Sequence, residues 1–313
     1  MPNSENIAVI GAGLMGHGIA QIFASQGHRV SLLDVNDEVL AKAIENIRAN
    51  LTLMARSGIG SPEEIEPTIG RIKKNRELED AATDAQFVIE AVTENLQVKQ
   101  RLFQELDSIC SSESILATNT SVISITEIAA KAMRRDRVVG THFWNPPYLI
   151  PLVEVIKGEE TSLKVMDRTM DLLRSVGKHP VRVNKDVPGF VGNRLQHALW
   201  REAISIVDKG IADPETVDEV IKKGFGIRLP VLGPIENADM VGLDLTMAIH
   251  DYILKHLESS PEPAPILKEK VERGELGFKT GQGFQKWSTE EVQRSRHKLL
   301  EYLLQWTNEQ KGK

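Results

Sequence analysis

Short apolar runs alternate with stretches of helical period along the first part of the chain. Asn6-Ile7-Ala8-Val9-Ile10 and Arg29 to Leu33 read as strands, with Ile19, Ala20, Ile22 and Phe23 at helical spacing between them. Gln86 to Val92, Ser114 to Ala117, Arg137 to Thr141, Pro151 to Ile156 and His179 to Val183 read as further strands. The unbroken apolar character of Phe87-Val88-Ile89 is that of a strand buried on both faces, as in a parallel sheet. Between Glu38 and Asn75 the period is helical, with Val39, Ala43, Ile44, Ile47, Leu51 and Met54 on one face. Gly58-Ile59-Gly60 interrupts it, and a second helix is predicted from Pro62 with Ser61 as its cap. Helices are also predicted from Glu94-Asn95 onward and over Ser162 to Val176. After Lys185-Asp186-Val187-Pro188-Gly189 the strands stop, and Phe190 to Lys209, a run capped by Asp213-Pro214 and ending at Gly224, and Asp239 to Leu257 are helical. The pattern predicts an α/β domain over residues 1–186, a doubly wound parallel sheet with an inserted helical hairpin, and an all-helical domain over 187–313.

Composition narrows the partners. A length of 313 residues suits two domains, and 41% hydrophobic content is that of a globular protein. A formal charge of -6 offers no global basic surface, so neither nucleic acid nor a membrane is an expected partner, and any anionic ligand must be held locally. Cys110 stands alone, which excludes an internal disulfide and a multi-cysteine metal site; no metal is expected. With no charged leader before an apolar stretch, and no apolar run of transmembrane length, a cytoplasmic protein is expected. Long apolar helices without a sheet of their own suggest a homodimer.

Chemistry enters at Gly11-Ala12-Gly13-Leu14-Met15-Gly16, which follows a strand, opens a helix, and is succeeded by Asp34 at the tip of the next strand. Gly11 suits a tight turn, Gly13 lets backbone approach a pyrophosphate, and Gly16 brings helix onto sheet, with the helix N-terminus facing the phosphates. Asp34 is suited to the ribose hydroxyls and repels a 2′-phosphate, so NAD is the expected cofactor and a Rossmann-type domain the expected fold. Glu94 and Lys99 follow a central strand; they are either a solvated pair or, given that place, contacts to the cofactor.

The second constellation is Gly140-Thr141-His142-Phe143-Trp144-Asn145-Pro146, running into Leu152-Val153-Glu154-Val155. Neighbouring strands place His142 and Glu154 within reach of each other. An imidazole whose second nitrogen is held by a buried carboxylate can take a proton from an alcohol at neutral pH. The plainer reading is a satisfied core histidine and an edge carboxylate. Thr118-Asn119-Thr120-Ser121 ends another strand; Ser121 is either the cap of a helix starting near Ile123 or a partner for a substrate oxygen. Asn193 lies in the first turn of the long helix, at the junction of the two domains.

These pieces together resemble the L-3-hydroxyacyl-CoA dehydrogenase family over nearly the whole chain. The resemblance rests on Gly11 to Gly16, Glu94-Asn95 with Lys99, Asn119-Thr120-Ser121, His142 to Pro146, Leu152 to Val155, Pro188-Gly189-Phe190 with Asn193-Arg194, and Gly277 to Phe284. It implies that His142 removes the hydroxyl proton with Glu154 orienting it, and that Ser121 and Asn193 hydrogen-bond the substrate. Asp34 would hold the adenosine ribose, with Glu94 and Lys99 near the nicotinamide ribose and Asn119 a further cofactor contact, while hydride passes to NAD. An L-3-hydroxyacyl-CoA substrate and a place in fatty acid metabolism are implied.

The acyl-CoA thioester stays the first reading, and three departures open a second beside it. Coenzyme A users carry a Ser and several Lys on the inserted hairpin, where this chain has Thr52-Leu53-Met54-Ala55-Arg56. They have Lys where this chain has Pro151, and a different turn where it has Leu229 to Pro234. These variants look more like the branch of L-gulonate 3-dehydrogenase, lambda-crystallin, carnitine dehydrogenase and pyridine-alcohol dehydrogenases, which implies a small hydroxy acid or alcohol. Lambda-crystallin also suggests a non-catalytic alternative. For a free acid, Arg228 or Arg201 could supply the fork of donors its carboxylate needs, the plainer reading being a solvated surface arginine, and Asn145 is a further candidate substrate contact.

Overall fold

The computed structural model describes residues 4–311. An eight-stranded sheet has the order β3-β2-β1-β4-β5-β6-β7-β8. Its strands are β1 (Asn6–Ile10), β2 (Arg29–Leu33), β3 (Ile72–Asn75), β4 (Phe87–Glu90), β5 (Ile115–Thr118), β6 (Val138–Phe143), β7 (Leu152–Ile156) and β8 (His179–Val183). The first six run parallel, as expected for a Rossmann-type sheet, but β7 pairs antiparallel with β6 and parallel with β8. The reason is length: residues 144–151 are too few for a parallel crossover, so the chain must turn straight back.

Helices α1 (Gly16–Ser25), α2 (Asp37–Arg56) and α7 (Leu163–Ser175) cover one face of the sheet. Helices α4 (Leu78–Ala82), α5 (Leu96–Ile109) and α6 (Ile125–Ala129) cover the other, and α3 (Ile65–Gly70) lies between α2 and β3 in the chain. The two-residue period of the strands divides the core accordingly: Ile7 and Val9 pack with Phe23, Leu40 and Leu173, while Ala8 and Ile10 pack with Phe103, Leu106 and Ile128. Beyond the sheet come α8 (Gly192–Asp208), α9 (Pro214–Lys223), α10 (Pro234–Val241), α11 (Leu243–Ile253), α12 (Pro265–Glu272) and α13 (Thr289–Lys311).

Several expectations change. The second arm of the hairpin is a single 3-10 turn, Pro62–Glu64, followed by the short α3, and Ser61 does accept from Glu63 N. Ile72–Asn75 is a strand rather than part of a helical stretch. It is an edge strand carrying Lys73 and Lys74, and it pairs on one side only, so little burial was required of its sequence. The helix expected from Phe190 starts at Gly192, because Gly189 and Phe190 have φ of 77° and 49°. The helix expected over Asp239 to Leu257 is broken at Gly242, with φ of 101°, into α10 and α11. Two isolated β-bridges, Gly277 with Gln282 and Gln282 with Lys286, interrupt the helical character of the C-terminal part.

The chain forms two compact units, residues 4–194 with 300–311, and residues 195–299. The expected division at 186/187 differs from this packing at two places. The first turn of α8 stays with the sheet, and the end of α13 returns to it, with Leu300, Leu303 and Leu304 against Leu53, Met54, Ile59, Tyr148 and Leu149. Among the described residues, no helix is long and apolar enough to cross a membrane.

Candidate active site

The glycine turn sits between β1 and β4, where the strand order reverses and open α/β sheets bind ligands at the carboxyl ends of their strands. Gly11 has φ of 100°, and a Cβ on it would lie 2.6 Å from the Ala91 carbonyl oxygen; one on Gly16 would lie 1.7 Å from the Gly11 carbonyl oxygen. Both glycines are demanded by the chain's own packing. Gly13 is different. Nothing lies within 4 Å of its Cβ position, so its lack of a side chain serves whatever approaches from outside. The first turn of α1 has neither a side-chain cap nor an acidic residue, which leaves the positive end of the helix open to an anion. Leu14 is exposed, and Met15 packs against the core. Asp34 accepts from Ala12 N at 3.0 Å through one oxygen and from Asn36 N at 3.2 Å through the other, which places its carboxylate at the rim of the turn. This arrangement fits NAD.

His142 and Glu154 are direct cross-strand partners in β6 and β7. Both are buried, with His142 Nδ1 2.7 Å from Glu154 Oε2. The other carboxylate oxygen accepts from Val191 N and Gly192 N, each at 2.9 Å. Burial by itself pushes the Glu154 carboxyl up, but the bond from His142 and the two amides outweigh it and hold the group below the ordinary carboxylate range. A carboxylate accepts and does not donate, so Nδ1 carries the hydrogen, and in the neutral imidazole Nε2 is then the nitrogen that can accept a proton. Trp144 and Phe190 flank the imidazole at ring-centroid distances of 5.2 and 5.7 Å. The ring is therefore fixed in plane, tautomer and direction.

Asn193 Nδ2 donates to the Ser121 carbonyl at 2.9 Å, joining the start of α8 to the end of β5. Ser121 is not a helix cap: Ser124 caps α6, which begins at Ile125, and the Ser121 hydroxyl makes no hydrogen bond with the described residues. Asn119 is buried and accepts from Phe143 N at 2.9 Å, tying β5 to β6 just beyond His142. Of the pair Glu94 and Lys99, the carboxylate is exposed and the ammonium is not. Lys99 is 1% exposed and contacts Glu90 Oε1 at 2.6 Å and Glu94 Oε2 at 3.3 Å.

Asn145 is exposed in the loop after His142. Arg201 and Arg228 are exposed and belong to the second unit. Sequence reasoning missed Glu90, although a Glu inside the apolar run Phe87 to Val92 was a visible signal. It also missed the Val191 and Gly192 amides, for which the sequence carries no signal.

The chain matches the NAD-binding domain of 3-hydroxyacyl-CoA dehydrogenases over residues 6–187 and the C-terminal domain of the same enzymes over residues 189–287. It belongs to the 3-hydroxyacyl-CoA dehydrogenase family. As such it is an NAD-dependent oxidoreductase acting on CH–OH groups. Among family relatives, a probable 3-hydroxybutyryl-CoA dehydrogenase of Bacillus subtilis is 42% identical over 281 residues, covering 90% of this chain and 96% of that protein. The 5-formyl-3-hydroxy-2-methylpyridine 4-carboxylate 5-dehydrogenase of Mesorhizobium japonicum is 37% identical over 279 residues, covering 89% of each. A crystal structure of a 5-dehydrogenase for that pyridine acid superposes with a TM-score of 0.91 at 34% identity, covering 99% of both chains. That of (S)-3-hydroxybutyryl-CoA dehydrogenase from Ralstonia eutropha gives 0.77 at 35% identity, covering 92% of this chain and all of the other.

Proposed function

We propose that this dehydrogenase oxidises the hydroxyl of a small 3-hydroxy acid or related alcohol, with His142 as general base and Glu154 as the group that orients it. The observation that carries the reading is the buried 2.7 Å contact of His142 Nδ1 with Glu154, whose other oxygen is fixed by two backbone amides. His142 Nε2 takes the hydroxyl proton as the C–O bond becomes a carbonyl, and Glu154 stabilises the imidazolium that results. NAD, when bound, supplies the hydride acceptor. The glycine turn with Asp34 holds the dinucleotide, and Ser121 and Asn193 hydrogen-bond the substrate oxygen. Base catalysis of this kind contributes about 10²–10⁴ in rate.

Two observations favour a substrate without coenzyme A. Leu53 and Met54, in the run where coenzyme A users are expected to carry cations, are covered by the apolar end of α13. The pyridine-type structure also matches the chain from end to end. The second reading, a 3-hydroxyacyl-CoA such as 3-hydroxybutyryl-CoA, is supported by the identity to the Bacillus relative. Following NADH absorbance with 3-hydroxybutyryl-CoA, L-gulonate, L-carnitine and a pyridine alcohol separates the two. Turnover of the thioester alone would overturn the first, and turnover of none would return the chain to a non-catalytic role.

A homodimer belongs to this reading. In the second unit, Val231, Ile235, Tyr252 and Met247 are exposed, and α9 to α12 bury no residue. So much apolar surface is suited to a second copy of the chain. Light scattering on the eluted protein tests it, and a monomer at micromolar concentration would end it. A reducing cytoplasm suits Cys110, a buried thiol that burial pushes up to about 11.

A further inference from the structure

The segment between β8 and α8 is held near both ends by carboxylates. Beyond its turn, Val191 N and Gly192 N donate to Glu154 Oε1, each at 2.9 Å. Before the turn, Asp186 Oδ2 accepts from the Ser124 hydroxyl at 2.6 Å and from Thr126 N at 2.7 Å, both at the start of α6. That start is fixed in turn to the strands of the dyad. The Thr126 hydroxyl accepts from Glu159 N at 3.0 Å, beyond the end of β7, and the Ile125 side chain covers Gly140 so closely that a Cβ there would lie 2.7 Å from Ile125 Cδ1. Gly140 precedes His142 by two residues in β6.

Between the two anchors the backbone is strained. Gly189 and Phe190 have φ of 77° and 49°, and Phe190 is the only non-glycine residue at positive φ among the described residues. It is buried, with its ring 5.7 Å from that of His142. A residue with a side chain keeps left-handed backbone only where its surroundings impose it.

We infer that Asp186 is a positioning residue for the His142–Glu154 pair: by tying the near end of this turn to α6, it holds Phe190 against the imidazole and the Val191 and Gly192 amides on Glu154. The hydrogen-bond pattern carries this. Asp186 Oδ2 takes both donors while Oδ1 is buried without a partner among the described residues, so the carboxylate sits where the α6 contact requires, at the expense of its second oxygen. Only residues 187–190 separate the anchor from the first amide on Glu154, and Phe190 N already donates to the Val187 carbonyl at 3.0 Å. So short a span has little slack to absorb a shift at 186.

The inference rests on His142 and Glu154 being the acid–base pair, and the experiment separates the two ideas. In the full-length enzyme, kcat and KM are measured for whichever substrate the panel identifies, and the NAD Kd by calorimetry. Protonation of His142 is followed by NMR of the labelled imidazole without substrate. Among the described residues no other titratable side chain bonds to either member of the pair, so that titration reports on the pair. The variants are Asp186→Ala, Asp186→Asn and Ser124→Ala. Asp186→Ala is expected to lower kcat about tenfold, the size of one lost hydrogen bond to a charged group, with KM and the NAD Kd changed less than about twofold. It should also raise the pH at which His142 is half-protonated, because a carboxylate relieved of amide donors attracts the shared proton more strongly. Asp186→Asn keeps an oxygen for both donors and restores most of the loss. Ser124→Ala removes one donor, moves both readouts the same way by less, and decides the matter if Asp186→Ala does not fold. Wild-type kcat with an unmoved His142 titration in folded Asp186→Ala would reduce Asp186 to a cap for α6 and overturn the inference, whatever the Tm. So would Asp186→Asn no better than Asp186→Ala, or a tenfold weaker NAD Kd with kcat unchanged. Full turnover in Glu154→Gln would instead remove the acid–base reading beneath it.

Discussion

Gly192 and Trp144 are in such close contact that a Cβ on the glycine would lie 2.4 Å from the indole Cζ2. The amide of the same glycine donates to Glu154 Oε1 at 2.9 Å. The first turn of α8, the ring that flanks His142 and the carboxylate that orients it are therefore one packed assembly. A methyl group at 192 must push either the indole or the helix start away. Gly192→Ala is expected to cost about 1–3 kcal/mol by overpacking and to lower kcat at least tenfold, with the NAD Kd unchanged. Wild-type kcat in a correctly folded variant would show that the amide contact does not govern the dyad.

Replacing the acid-base pair tests the chemistry directly. His142→Gln and Glu154→Gln are each expected to lower kcat by about 10²–10⁴, since one removes the proton acceptor and the other the group that fixes its tautomer. Calorimetric NAD binding should persist in both, because neither residue belongs to the glycine turn. Full turnover in either variant refutes the dyad.

Glu154 also gives the stability an acid limb. Its folded-state carboxyl lies below the ordinary value of 4.5, so its contribution is complete above that value and is lost as pH falls toward the lower folded value. In that window the unfolded chain binds the proton more readily than the folded one. Urea unfolding of wild type and Glu154→Gln over a series of acid pH values should show a shallower decline in the variant. Parallel declines would place the acid sensitivity elsewhere.

Lys178 should act with the same sign, but at alkaline pH. Its ammonium donates to the Pro147 and Ile150 carbonyls, pinning the loop between His142 and Glu154, and has no carboxylate partner among the described residues. Burial pushes it down from 10.5 to about 8. Between those values the unfolded chain holds the proton and the folded chain releases it, so stability rises with pH across the window, by about 1–3 kcal/mol after allowance for solvent screening. Lys178→Met should abolish that rise in urea melts. An unchanged alkaline limb would sink the assignment.

What the sequence determined by itself was local. The spacing of Gly11, Gly13, Gly16 and Asp34 follows from the demands of a turn, a close approach and a helix start, and the structure shows the first and third in the chain's own contacts. The two-residue and helical periods located seven strands and the main helices, because burial on a sheet face or helix stripe writes itself into neighbouring positions. Ile72–Asn75 escaped because an edge strand with two lysines has little burial to record.

Tertiary structure decided the rest. That β7 runs back against β6, setting His142 opposite Glu154 in register, is a fact about two segments, and neither encodes it alone. The Val191 and Gly192 amides are backbone groups with no residue signature, so only the fold could bring them to Glu154. Glu90 and Lys99 read as one charge in an apolar run and one on a helix until packing excluded water from both. The end of α13 likewise returns to Leu53 and Met54 from across the sequence. Such contacts join positions far apart in the chain, and their energy depends on shared burial, which a linear pattern does not record.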